Sequence, residues 1–90
     1  MSKCAKLKII GLVQGVFFRD YAQEKASELK VAGWVRNASD GTVEAMLEGS
    51  SDSVDQMIAW CHQGSPGSQV EKVEIEWVAP EGCEGFEVRY

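Results

Sequence analysis

The chain has 90 residues, of which 44% are hydrophobic and 26% are charged, and it contains only two prolines. This length favours one domain, and the composition excludes disordered and low-complexity chains. The formal net charge of −5 argues against general binding to a nucleic-acid backbone or to an anionic membrane. We therefore predict that residues 1–90 form a single domain that binds neither nucleic acid nor membranes. We also expect this domain to be a monomer.

The positive charge is concentrated in the first part of the chain. Residues 1–36 carry a net charge of +4, whereas residues 37–90 carry −9. Because an anion is attracted to local positive charge, we expect an anionic ligand to bind within this first third.

Cysteine usage and the N-terminal residues both indicate the cytoplasm. The chain has an odd number of cysteines, Cys4, Cys61 and Cys83, and none lies in a metal-ligand spacing. The N-terminus lacks the apolar stretch of a signal peptide, and no run of about 20 apolar residues is present. We expect a cytoplasmic protein with free thiols and no metal site.

The first half of the chain predicts a strand, a helix and a hairpin. Alternation over residues 5–13 predicts a strand, and residues 20–31 carry apolar side chains at helical spacing. Gly33 is expected to stop this helix. Residues 34–37 and 42–48 alternate again and are separated by an Asp-Gly pair, which is typical of a β-hairpin.

The second half predicts one more helix and two more strands. Gly49 is expected to terminate the third strand, and residues 50–52 supply capping oxygens for a second amphipathic helix that ends near Gly64. Residues 72–77 predict a fourth strand, and residues 86–90 predict a short last one.

The order βαββαβ, with its short last strand, indicates the α+β ferredoxin-like fold. In this sandwich a mainly antiparallel sheet carries both helices on one face. The fold occurs in RNA binders, metabolite sensors, metal carriers and enzymes, so function has to be inferred from the site.

The connection between the first strand and the first helix is a candidate anion site. Gly15 permits unusual backbone angles, and N–H groups of such a turn and of the helix N-terminus can bind an anion. The Arg19 guanidinium would add bidentate recognition of phosphate. Equally, Gly15 could be an ordinary loop glycine and Arg19 a solvated side chain. The connection matches neither a Walker loop nor a dinucleotide-binding fingerprint.

Two segments carry a more specific signal. The sequence GLVQGVFFR at residues 11–19 resembles the first signature of the acylphosphatase family, with its V-Q-G-V-x-F-R core intact. The sequence GWVRNASDGTV at residues 33–43, followed by Gly49, is similar to the second signature. The two motifs occur in the family's order and are separated by one helix, and the resemblance extends over the rest of the chain.

The resemblance implies hydrolysis of a small-molecule acyl phosphate to a carboxylate and inorganic phosphate, without a metal or cofactor. The implied phosphate-binding loop consists of Gln14, Gly15, Val16, Phe17, Phe18 and Arg19. The resemblance further implies that Arg19 is the essential phosphate-binding residue of this loop. It also implies that Asn37, from the second motif, orients the attacking water. From the residues alone, Asn37 could instead be a hairpin asparagine that satisfies its own backbone.

Further residues are expected to support or border these two. Thr42 is a candidate to hold Asn37 through its hydroxyl, although it could be only a β-branched strand residue. The C-terminal carboxylate of Tyr90 is hypothesised to orient Arg19, because the last strand ends there.

The two adjacent phenylalanines of the loop are expected to differ. Phe18 continues the apolar stripe of the helix and is expected in the core, whereas Phe17 should face outward and could touch the acyl group.

The main alternative is a non-catalytic ferredoxin-like module that binds RNA or a regulatory metabolite. An RNA-recognition domain would carry aromatic residues on its third strand, and residues 42–48 have none. A metabolite sensor has no need of Arg19 and Asn37 in these two motifs. A domain that acts on carbamoyl phosphate within a larger maturation enzyme is a third possibility, which the absence of further chain disfavours.

Overall fold

A five-stranded sheet and two helices make up the part of the chain that the computed structural model describes, residues 2–90. The strands are β1 (Ser2–Leu12), β2 (Ala32–Asn37), β3 (Val43–Ser50), β4 (Gln69–Val78) and β5 (Phe86–Arg89), and the helices are α1 (Phe18–Leu29) and α2 (Ser51–Gln63). Neither helix has the length and apolar composition needed to cross a membrane.

The sheet has the strand order β4-β1-β3-β2-β5. β1 pairs antiparallel with β3 and β4, and β3 pairs antiparallel with β2, whereas β5 runs parallel to β2. The two helices contact each other and pack on the sheet, α1 over β2 and β5 and α2 over β1, β3 and β4. The predicted ferredoxin-like α+β fold is therefore confirmed.

The core lies between the helices and one face of the sheet. Alternate side chains of the central strands point to the helices, because successive strand residues face opposite sides of a sheet. The strand residues buried there are Ala5, Leu7, Ile9, Val35, Val43, Ala45 and Leu47. The helical stripes supply Phe18, Ala22, Ala26, Val54, Met57, Ile58 and Cys61, as their spacing predicts.

Two glycines that were predicted to end elements instead lie inside strands. Helix α1 ends at Leu29, with Lys30 in the left-handed conformation (φ 60°). Gly33 lies in β2 with φ 132°, where an added Cβ would collide with the carbonyl of Met46 on β3. Gly49 does not terminate β3, because its pairing with Lys3 continues the ladder into Ser50. In both cases strand pairing outweighs the local tendency of glycine to interrupt structure.

The cysteines are unpaired, and two of them are buried. Burial raises the pKa of Cys4 to about 11 and that of Cys61 to about 12. Both thiols therefore remain protonated at neutral pH and are poor nucleophiles.

A buried carboxylate holds the loop between β4 and β5 against the sheet. Glu48 of β3 is only 9% exposed, and its two oxygens accept hydrogen bonds of 2.7–3.2 Å from the backbone N–H groups of Glu81, Gly82 and Cys83. These bonds, led by the one from Glu81, lower the pKa of Glu48. The charged form of Glu48 therefore stabilises the folded state.

We expect Glu48→Gln to lower the melting temperature by several degrees at pH 7, because it removes the charge and one acceptor oxygen. Since the folded pKa of Glu48 is lowered, this stabilisation is present above the unfolded pKa of about 4.3 and is lost as the pH falls through the folded value. Thermal unfolding followed by circular dichroism at pH 7 and pH 3 measures both effects. The exposed Glu76 of β4 supplies the control, Glu76→Gln, and equal shifts in the two variants would contradict this role.

Candidate active site

The loop between β1 and α1 adopts left-handed backbone conformations at two positions. Gly15 has φ 75°, and Phe17, the residue that precedes the first turn of α1, has φ 60° and ψ 25°. Left-handed angles are costly for a bulky side chain such as Phe17 and persist only where the surroundings impose them. No side chain caps α1, so the N–H groups of its first turn are free to bind an anion.

The loop is supported by α2 and by the connection between α2 and β4. The hydroxyl of Ser65, which is 2% exposed, donates a 2.8 Å hydrogen bond to the carbonyl of Val16. Phe18 is also 2% exposed and packs on the ring of Trp60 with 5.2 Å between centroids, whereas Phe17 is 71% exposed. The expected difference between the two phenylalanines is thus what the structure shows.

A pocket of about 360 Å³ opens beside this loop. Gly15, Phe17, Arg19, Asn37 and Tyr90 are among the residues that line it. The structure therefore brings Arg19 and Asn37, from the two separate motifs, into one pocket. Of the other residues predicted for the site, Phe18 also lines the pocket, whereas Gln14, Val16 and Thr42 do not.

Arg19 is positioned by the last two residues of the chain. Its Nη1 donates a 2.9 Å hydrogen bond to the backbone carbonyl of Arg89, and its guanidinium lies 4.5 Å from the centroid of the Tyr90 ring. Among residues 2–90 no carboxylate lies within 4.0 Å of Arg19, so the hypothesis that the Tyr90 carboxylate orients it is replaced by a main-chain carbonyl and a cation–π contact. A backbone carbonyl leaves no signal in the sequence, which is why this contact was missed.

The side chain of Gln14 joins the loop to the β2–β3 hairpin. Its Nε2 donates hydrogen bonds of 2.8 Å to the carbonyls of both Ala38 and Thr42. The resemblance placed Gln14 among the phosphate-binding residues, but its side chain is committed to the turn that follows Asn37. Gln14 thus fixes the distance between the two halves of the pocket.

The sequence suggested that the Thr42 hydroxyl holds Asn37, but in the structure this hydroxyl has a different partner. Its Oγ1 donates a 2.6 Å hydrogen bond to Oδ1 of Asp40, and its backbone N–H donates to the same oxygen at 3.1 Å. A carboxylate oxygen can accept both bonds, so the Thr42 hydroxyl is used within the turn. The Asp-x-Thr spacing is a local turn pattern and could have predicted this bond.

An ion pair on the open face of the sheet completes the turn. Nζ of Lys8, on β1, lies 3.0 Å from Oδ2 of Asp40. The hydrogen bond from the Thr42 hydroxyl, and after it the one from Lys8, hold the pKa of Asp40 well below its usual range. In turn, the hydrogen bond to Asp40 raises the pKa of Lys8. Neither Lys8 nor Asp40 was predicted, because the Asp-Gly pair was interpreted only as a hairpin signal.

Metal ligation finds no support among residues 2–90, where no three His, Cys, Asp or Glu side chains are placed to hold an ion. The pocket is lined by the guanidinium of Arg19, the side-chain amide of Asn37 and the carboxylate of Asp20, and it lies beside the uncapped N-terminus of α1. The guanidinium, the amide and the N–H groups of a helix N-terminus are groups that can bind a small oxyanion such as a phosphate.

The structure is thus a ferredoxin-like α+β domain with a pocket beside its β1–α1 loop. The acylphosphatase family model matches residues 5–88. An acylphosphatase from Rubrobacter xylanophilus is 51% identical over 98% of this chain and 81% of its own, and one from Thermococcus kodakarensis is 52% identical over 93% and 92%. The solved acylphosphatase of Coxiella burnetii superposes with a TM-score of 0.94 at 39% identity, covering 98% of this chain and 93% of its own. The chain belongs to the acylphosphatase family.

We expect Gln14→Met to reduce the free energy of unfolding by about 1–2 kcal/mol, because methionine is similar in size but cannot donate to the two hairpin carbonyls. Urea unfolding followed by circular dichroism measures the change. The exposed Gln23 on α1 supplies the matched control, Gln23→Met, which should leave stability unchanged. Equal stability of all three proteins would show that the Gln14 bonds contribute nothing.

Proposed function

We propose that the protein hydrolyses acyl phosphates to a carboxylate and inorganic phosphate. The loop formed by residues 14–19 and the Arg19 guanidinium bind the phosphoryl group, and Asn37 orients the attacking water. The observation that supports this proposal most directly is the pocket in which Arg19, Asn37 and the uncapped N-terminus of α1 meet.

Binding of the phosphoryl group requires donors that face one point. Main-chain N–H groups of the loop and of the first turn of α1 supply part of this set, and the helix dipole favours the anion. A guanidinium has five N–H donors, and Arg19 donates one of them to the Arg89 carbonyl. The other N–H groups remain available to the phosphoryl oxygens. Stacking on Tyr90 restricts the side chain and reduces the entropy lost when the substrate binds.

Hydrolysis of an acyl phosphate mainly requires that water and the phosphoryl group are aligned and that the charge of the transition state is stabilised. The water oxygen forms a bond to phosphorus as the bond to the carboxyl oxygen breaks, and the carboxylate leaves with the electron pair. A carboxylic acid has a pKa of about 4, so its anion departs without a general acid. Arg19 and the N–H groups stabilise the charge that spreads over the equatorial phosphoryl oxygens.

Asn37 suits the placement of the water. Its neutral side-chain amide both accepts and donates hydrogen bonds, so it can fix a water molecule in direction as well as position. A loose transition state needs the nucleophile placed more than deprotonated. All these groups come from one chain, so we propose a monomeric enzyme that acts on a small molecule without a metal or cofactor.

We expect the folded protein to hydrolyse benzoyl phosphate at the same rate with and without excess EDTA, because protein groups alone stabilise the transition state. Release of phosphate, measured in both conditions, tests this directly. Absence of turnover would overturn the proposed reaction, and turnover only after addition of a divalent metal would overturn the proposed mechanism.

We expect Arg19→Ala to lower kcat/KM for benzoyl phosphate by about 100-fold or more and to weaken inhibition by inorganic phosphate. The reason is that the guanidinium binds the phosphoryl group in the ground state as well as in the transition state. Arg36→Ala is the control, since Arg36 pairs with Glu44 at 2.8 Å on the open face of the sheet. The same phosphate inhibition in wild type and Arg19→Ala would be incompatible with this role.

We expect Asn37→Ala to behave differently, with kcat lower by about 100-fold and phosphate inhibition retained, because only the water loses its partner. Steady-state kinetics on benzoyl phosphate with phosphate as inhibitor separates the two effects. An Asn37→Ala protein with the kcat of the wild type would rule out the proposed placement of water.

A further inference from the structure

The turn of residues 38–42 is held from two opposite sides. From the loop side, Gln14 donates to the Ala38 and Thr42 carbonyls at 2.8 Å. From the open face of the sheet, Asp40 accepts two hydrogen bonds from Thr42 and pairs with Lys8 at 3.0 Å. Within the turn, the Ala38 N–H donates to the Thr42 carbonyl at 2.8 Å. Among the side-chain hydrogen bonds and ion pairs of residues 2–90, the one between Asp40 and Lys8 thus connects the turn to β1.

Asn37 is the last residue of β2 and leads directly into this turn. Among residues 2–90, strand pairing holds the backbone of Asn37 only through Val43 of β3. The orientation of the Asn37 side chain therefore depends on how the next five residues, 38–42, are fixed. We propose that Asp40 is a positioning residue for Asn37, which it keeps aimed at the pocket by fixing the turn to Lys8 and Thr42. This inference rests on the proposed role of Asn37 in orienting the water.

The charges around Asp40 favour a permanent contact. Lys8 faces Asp40 and is also close enough to Glu44 of β3 and Glu74 of β4 for both to raise its pKa. The pKa of Asp40 is held well below its usual range, so the carboxylate remains charged under ordinary assay conditions. Asp40 is therefore a constant support and does not act as a pH switch.

The exposure of the pair separates this role from simple stabilisation. The side chains of Lys8 and Asp40 are 41% and 51% exposed, and exposed ion pairs contribute little to the free energy of unfolding. A small displacement of a catalytic group, in contrast, can lower a rate about 100-fold. Loss of Asp40 should therefore affect kcat far more than stability.

The test compares Asp40→Ala with Asp55→Ala. Asp55 pairs with Lys3 at 2.7 Å, so the control also breaks an ion pair to a lysine of β1, but near the N-terminal end of the strand rather than at Lys8. For Asp40→Ala we expect kcat on benzoyl phosphate to fall by about 10-fold or more, with phosphate inhibition retained, because the water is misplaced and the phosphate site is intact. Asp55→Ala should keep the kcat of the wild type.

Two further variants keep the inference open to contradiction if Asp40→Ala does not fold. Asp40→Asn retains an oxygen acceptor for Thr42 but loses the ion pair with Lys8, so its kcat should match that of Lys8→Met and stay above that of Asp40→Ala. Lys8→Met removes only the connection to β1 and should lower kcat by about 3-fold or more, whereas Lys3→Met should not change it.

The outcomes distinguish this inference from the proposed function. A wild-type kcat in Asp40→Ala and Lys8→Met, together with an impaired Asn37→Ala, would overturn the positioning role alone. A parallel loss of kcat and phosphate affinity in Asp40→Ala would also overturn it, because the whole site would then be disturbed. A fully active Asn37→Ala would contradict the proposed role of Asn37 first, and the inference about Asp40 with it.

Discussion

Two hydrogen bonds from one side-chain amide connect the two halves of the pocket. β1 and β2 both run antiparallel to β3, which lies between them, so they are parallel to each other and their C-terminal ends meet at the same edge of the sheet. The loop after β1 and the turn after β2 therefore start as neighbours, and Gln14 fixes the remaining gap through the Ala38 and Thr42 carbonyls. This link adds to a less direct one, in which Arg19 donates to the Arg89 carbonyl and Arg89 pairs with Arg36, the neighbour of Asn37.

The elements were predictable because most of them obey a single periodicity. Alternation and helical spacing gave both helices and all strands in the right order, and the two motifs gave Arg19 and Asn37. Pairing between distant strands explains the errors, since the sequence near Gly33 and Gly49 carries no record of the ladder that continues through them. The contacts of Thr42 and Arg19 were wrong or missed for a related reason: their partners are a turn carboxylate and a main-chain carbonyl.

The distribution of charge gains a more exact meaning from the structure. The positive first third of the chain suggested an anion site, yet four of its seven basic residues form ion pairs with carboxylates, namely Lys3, Lys8, Lys25 and Arg36. Arg19 differs from these four, because among residues 2–90 it forms no ion pair, donates to a main-chain carbonyl and lines the pocket. The regional sum of charge therefore does not identify the site, and the proposed phosphate site depends on one guanidinium in a pocket that the Asp20 carboxylate also lines.

The left-handed backbone at Gly15 and Phe17 has a consequence for how such a site is encoded. Every residue type except proline has a main-chain N–H group of the kind proposed to bind the phosphate. Binding by this loop would therefore depend more on its backbone conformation than on the identity of its side chains. Many side-chain replacements can therefore leave the donors in place as long as the loop keeps its shape. Replacing a single loop amide by an ester, which deletes one donor and no side chain, alters recognition more directly than most changes of amino acid.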